Sequence, residues 1–170
     1  DGATRNVEYI LSAALQSSKE YTGGVVDITG FTELAATDFT DMTPSTGVWV
    51  CPADGKYQLS ANVVITEYNA SGGQFRTLFL KTLQKQSTET AFSDIKEVGT
   101  NLQAGAAVDD YNFFTQSTDI VLSLVASTEI KFQVLIHYSG STKPGIRGRI
   151  AGNGNDSGKY FTTVFIRRVG

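Results

Sequence analysis

One cysteine, one histidine, one tryptophan, one methionine and three prolines are all that this 170-residue chain contains of those residue types. Each shortage excludes something. A lone Cys51 cannot form an intrachain disulfide, so the fold is not a stapled scaffold. Zinc sites built from Cys and His need about four ligands, and Cys51 with His137 cannot supply them. A Cys-His or Ser-His catalytic pair is formally open. The residues read more simply as a small buried hydrophobe and a strand residue. Charged residues make up 18% of the chain, below the usual share of about 25%. No apolar run approaches the ~20 residues that a membrane-spanning helix needs, so no membrane insertion is expected. No signal peptide is expected either. The chain opens on Asp1 and not on Met, and reads as a processed product or a part of something longer.

Gly is abundant and Ser and Thr are plentiful, the mixture of many short strands joined by turns. The net charge of −3 is unevenly placed. Residues 139–170 carry Lys143, Arg147, Arg149, Lys159, Arg167 and Arg168 against Asp156 alone, so that end is +5 and the remainder −8. A basic end attracts an anionic partner, or meets the acidic surface of a neighbouring copy. Nucleic acid is not the expected partner, because the pI is about 5.1 and no basic stripe is interleaved with aromatics.

The clearest element follows "TGVWVCPADG". After the turn, Tyr57, Leu59, Ala61, Val63 and Ile65 fall on every second position, with Lys56, Gln58, Ser60 and Asn62 between them. Period two means one buried and one solvent-facing side. Asp54-Gly55 reads as a tight turn using a glycine at positive φ, and the stretch as a hairpin. A second hairpin is expected from "TDIVLSLVAS", residues 118–127, and "EIKFQVLIHY", residues 129–138. In residues 73–86, Phe75, Thr77, Phe79 and Leu83 share one face while Leu78 and Leu80 lie on the other. A strand apolar on both faces lies between two layers, or between the core and a neighbouring subunit. Residues 23–39 read as short strands broken by Gly30, and residues 90–114 as strands near Phe92–Ile95 and Tyr111–Phe114. Residues 139–158, rich in Gly, Asn and Ser, read as a long loop, and residues 159–169 as the last strand. Residues 7–15, "VEYILSAAL", fit a helical face and a strand equally. They are taken with residues 1–23 as a neck or N-terminal extension, ahead of a head domain over residues 24–170. Eight to ten short strands with no fixed repeat predict an all-β fold, an antiparallel jelly-roll sandwich.

The run from Trp49 to Leu59 resembles the fingerprint of the complement 1q/tumour-necrosis-factor-like globular heads. In that pattern an aromatic is followed by five residues and then by Gly, any residue, Tyr, any residue and Phe. Here Trp49 precedes "VCPAD", Gly55, Tyr57 and Leu59. The closing "KYFTTVFIRR" is similar to the family's aromatic-rich last strand. Leu59, Ala61 and Thr163 depart from the pattern's Phe, aromatic and Gly, and Thr37 stands where Asn or Asp is usual, with Asp38 one place late. The resemblance implies a ten-stranded jelly roll that assembles as a tight homotrimer and binds partners without chemistry. The chain's own residues agree with assembly: Leu78, Leu80, Phe161 and Phe165 give apolar surface on second faces, which a threefold interface covers.

Three functional readings follow. The first is a non-catalytic trimeric recognition head on a virion surface, such as a phage fibre tip, or another extracellular surface. It binds a cell-surface glycan or protein receptor through loops, for host attachment or adhesion. Its expected ligand residues are Tyr68, Asn69, Lys143, Arg147, Arg149, Asn153 and Asn155, since Tyr, Asn and Arg suit sugars and anionic polymers. The alternative is a structural domain that trimerises, or decorates a capsid or fibre, without a ligand. The third is a glycan-cleaving enzyme, which needs paired carboxylates flanking a bond. Asp109-Asp110 is the one adjacent acidic pair, neighbours on a strand point to opposite faces, and Glu89 stands alone. No catalysis, cofactor or metal is therefore expected. Two Asp fall far short of the six to eight oxygens calcium takes, and the glycosylation patterns at Asn69 and Asn155 read as chance matches in a Ser/Thr-rich chain.

Overall fold

A computed structural model describes residues 10–37, 42–69, 74–101, 114–139, 143–149 and 159–170. The regular elements among them are all strands. In chain order they are β1 (Ile10–Leu15), β2 (Lys19–Glu20), β3 (Val25–Asp27), β4 (Phe31–Thr37), β5 (Trp49–Val50), β6 (Gly55–Asn69), β7 (Gln74–Lys85), β8 (Ser93–Asn101), β9 (Phe114–Leu124), β10 (Glu129–Ser139), β11 (Lys143–Ile146) and β12 (Thr163–Arg168).

The long β6 is the spine of a seven-stranded sheet. On one side it pairs with β9 from Gly55 to Ile65. On the other it pairs first with β12 and then, from Ile65 onward, with β11. Beyond β12 come β1 and β4, and β2 adds to β11. The second sheet runs β3-β10-β7-β8, with β5 also on β10. All pairings are antiparallel, and the two sheets stack as a jelly-roll sandwich. The alternating apolar residues of β6 and β10 meet between them. Tyr57, Leu59, Val63 and Ile65 are buried from one side, and Ile130, Phe132, Val134 and Ile136 from the other. Each such side chain contributes roughly 1.5–3 kcal/mol on burial. The Trp49 and Tyr57 rings meet edge-on across the core at 5.6 Å.

Both expected hairpins are corners between the two sheets. β5 pairs with β10 while β6 lies in the other sheet. Likewise β9 pairs with β6 and β10 with β7. The two corners dock on each other. Cys51 N–H donates to the Thr128 carbonyl at 2.8 Å, Ser127 N–H to the Cys51 carbonyl at 2.8 Å, and Ala126 N–H to Asp54 Oδ1 at 2.8 Å. Alternation fixes which face a strand buries but not which strand it pairs with, so a corner and a hairpin read alike. Gly55 also differs from expectation, because it does not adopt positive φ. It is needed for close approach: a Cβ there would overlap the Arg168 guanidinium and come within 2.9 Å of the Gly170 carbonyl oxygen.

Three further expectations are corrected. The chain enters the sheet at Ile10, so the neck expected over residues 1–23 does not extend through β1. Leu11, Ala13 and Leu15 face the core, because the slot between β12 and β4 selects the strand pattern over the helical one. Within the long loop, Lys143–Ile146 is strand, with Ile146 buried against the core. Finally, Leu78 and Leu80 are 1% and 0% exposed inside this one chain. They point into the sandwich and cannot be an outer contact surface; Phe79, on the other face of that strand, has its ring over Gly99 and edge-on to His137.

Candidate functional site

Two surfaces stand out, both on the seven-stranded sheet. The first is the outward face at the crossing of β12, β6 and β9. Register sets its rows. Ser12, Phe165, Ser60 and Asp119 lie side by side, and the next row holds Ala14, Thr163, Asn62 and Ser117. Small side chains beside one large ring leave a shallow concavity of about 360 Å³ next to Phe165. The ring itself is 37% exposed. Above it, Arg167 Nε donates to Gln58 Oε1 at 2.7 Å, and Gln58 Nε2 donates to Asp119 Oδ2 at 2.9 Å. The Gln58 amide thus links a cation on β12 to an anion on β9. Below, Ser117 Oγ donates to Asn62 Oδ1 at 2.7 Å, and Asn62 Nδ2 to the Phe161 carbonyl at 3.1 Å. Sequence reading marked Phe165 but passed over Ser60, Asn62, Ser117 and Asp119. Their signal was present as the polar half of two alternations, which reads as ordinary solvated surface.

The second surface lies at the far end of the same sheet, where β6 passes β11. Arg147 N–H donates to the Val64 carbonyl at 2.8 Å, and Arg149 N–H to the Leu15 carbonyl at 2.9 Å. Between them Gly148 sits hard against the Ser17 backbone, and its N–H reaches Ser18 Oγ at 3.0 Å. The segment is therefore fixed to both β6 and β1. The Arg147 guanidinium lies over the Phe161 ring at 4.8 Å and that of Arg149 over Tyr160 at 5.5 Å. Residues far apart in sequence, two expected as ligand residues and one as interface, thus form two cation–aromatic pairs. Lys143 stands opposite Asn69 in the backbone register, with Tyr68 next in the strand. Asn153 and Asn155 lie outside the described residues.

The residues of the catalytic readings are placed elsewhere. Glu89 accepts the Gln86 N–H at 2.8 Å and so caps the turn between β7 and β8. Asp109 and Asp110 lie outside the described residues. Cys51 is buried, and burial pushes its thiol above the ordinary 9.0. His137 stands nine residues along β10 from Thr128, which holds Cys51; extended chain of that length covers about 30 Å, so the two do not form a pair.

Among the described residues these features define an all-strand jelly-roll sandwich with a shallow concavity beside Phe165 on one outward sheet face and cation–aromatic pairs at its far end. No family model and no curated protein matches the sequence. Solved structures do match its fold. Murine APRIL aligns with a TM-score of 0.60 at 8% identity, over 95% of this chain and 99% of that one. The globular domain of zebrafish complement 1qA aligns at 0.57 and 12%, over 94% of each chain. Eiger TNF from S. frugiperda aligns at 0.59 and 8%, over 95% and 94%. The chain has the fold of tumour-necrosis-factor-like and complement 1q-like heads.

Proposed function

We propose that this chain is the non-catalytic recognition head of a homotrimer, displayed outside a cell or on a virion, and that it binds a surface receptor or glycan. The observation that carries the reading is the outward face around Phe165. A partly exposed aromatic ring stands beside a concavity floored by Ser60, Thr163 and Ser117, so one surface holds both a knob and a hole. In a closed ring of three, the knob of each copy enters the hole of the next, a heterologous contact that needs both on the same chain. The shared fold supports this, since the resemblance read from Trp49, Gly55 and Tyr57 implies a trimer. Binding falls to the Arg147–Arg149 end, because a rigid sandwich presents recognition groups at its ends. Three copies held together convert weak single contacts into avidity.

Light scattering across a concentration series tests the assembly. The expected mass is three times the 18.3 kDa chain. Phe165→Glu, which puts a charge on the ring's position, is expected to give the single-chain mass. A wild-type protein that stays single at all concentrations refutes the reading.

A further inference from the structure

We propose that Arg167 of each copy pairs with Asp119 of the next, and that this ion pair fixes the register in which three copies close. The inference rests on the trimer reading of the face around Phe165 and adds to it the two charges that the contact brings together.

Within one chain the two charges are held but not paired. Arg167 on β12 and Asp119 on β9 flank Gln58 on β6, and both charged residues are exposed. Arg167 Nε donates to Gln58 Oε1 at 2.7 Å, and Gln58 Nε2 donates to Asp119 Oδ1 and Oδ2 at 3.2 and 2.9 Å. Among the described residues neither charge joins an ion pair, whereas Lys81, Lys85 and Lys131 on the other sheet each hold an acid at 2.6–3.1 Å. Lys96 also reaches Asp119, but its Nζ donates to the backbone carbonyl, at 2.7 Å. A guanidinium has about five N–H donors and a carboxylate accepts about four bonds. One neutral amide between them leaves room for a partner on each.

Closing the ring changes their surroundings. Asp119 lines the concavity, and Phe165 is the knob that enters it. Arg167 follows Phe165 by two residues on the same face of β12, about 7 Å along the strand. A knob seated beside Asp119 therefore carries its own Arg167 to within about one side-chain length of that carboxylate. Both groups lose water as the ring covers the face. A charge covered without a partner is costly. An Arg–carboxylate pair across the contact removes that cost for both at once, through two parallel bonds. Gln58 already holds Arg167 and Asp119 in place, so little side-chain freedom is lost on pairing. The pair also discriminates, because a shifted register leaves both charges covered and unpaired.

The test is sedimentation equilibrium over a dilution series, with circular dichroism to check folding. It compares the wild type, Arg167→Glu, Asp119→Arg, the double reversal, and a one-to-one mixture of the two single variants. Each single reversal is expected to cost about tenfold per contact, the low end for a close charge pair. Over three contacts, and with the square-root dependence of the midpoint, the half-assembly concentration rises about thirtyfold. The double reversal is expected to return it to within about threefold of the wild type. In the mixture, opposite charges meet only where unlike variants are neighbours. A ring of three cannot alternate, so one contact stays repulsive and the midpoint lies about threefold above the wild type. Arg167→Gln and Asp119→Asn remove the charges without reversing them, and together are expected to cost less than the sum of the two alone. Single reversals that assemble like the wild type, a double reversal that does not recover, a mixture no better than either variant, or additive losses for the neutral pair would each overturn the ion pair and leave the trimer standing. Full recovery of the mixture as a two-chain species would overturn the ring, because an even number of copies can alternate. A wild type that stays single at every concentration overturns the trimer reading and the pair with it.

Discussion

Replacing Phe165 by Ala gives a magnitude that can be worked in advance. A Phe side chain carries roughly 200 Å² of surface. The residue is 37% exposed in the single chain, so roughly 75 Å² remains for a neighbour to cover. At about 25 cal/mol per Å² that is about 2 kcal/mol for each contact. Three contacts close the ring, so about 6 kcal/mol is lost, or about four powers of ten in the assembly constant. Trimer formation is third order in chain, and the half-assembly concentration follows the square root of that constant. The midpoint is therefore expected to rise about a hundredfold. The fold is expected to persist, because Val164 and Ile166 on the opposite face carry the core packing of β12. Sedimentation equilibrium or light scattering over a dilution series reads the shift. Superposable wild-type and Phe165→Ala curves, with the wild type a trimer, would show that the interface lies elsewhere.

Leu78→Ala should behave oppositely, lowering stability by about 2–5 kcal/mol as a core cavity does while leaving the mass of the folded protein unchanged. Two glycines with nearly equal dihedrals separate backbone strain from crowding. Gly24 has φ 67° in open space, and Gly47 has φ 66° with the Ile28 carbonyl oxygen where a Cβ would go. Gly24→Ala should cost about 1 kcal/mol. Gly47→Ala should cost at least about 3 kcal/mol, and equal urea midpoints at one protein concentration would refute the steric account. Alkaline pH gives a signed test. Burial raises the Cys51 thiol above its ordinary 9.0, so the native state holds that proton more tightly than the unfolded chain. Its contribution to stability is full below pH 9.0 and is lost as pH rises through the native value, with Tyr21, raised by burial from 10.0, adding the same sign higher up. Urea midpoints of Cys51→Ala measured across pH 8 to 10 should decline less than those of the wild type.

Much of the core was legible in the chain. Tyr57, Leu59, Val63 and Ile65, and Ile130, Phe132, Val134 and Ile136, are buried as their spacing requires, because a strand turns alternate side chains to opposite faces wherever it pairs. The run from Trp49 to Tyr57 carried the fold's resemblance for a related reason: these two rings meet across the core, and Gly55 leaves room for Arg168. Arg147 and Arg149 could be singled out by residue type, but not their aromatic partners. Phe161 and Tyr160 lie more than ten positions away and reach them only because residues 147–149 are bonded to β6 and β1.

Sequence alone therefore determined that this protein is made of strands, and which side of its clearest strands is greasy. Tertiary structure alone decided who neighbours whom. It turned two expected hairpins into corners joining opposite sheets, placed Leu78 and Leu80 inside instead of out, and drew β1 into the sheet. The physical reason is that side-chain alternation is a local property of one extended chain, whereas pairing is settled by the non-local fit of two sheets over a shared core.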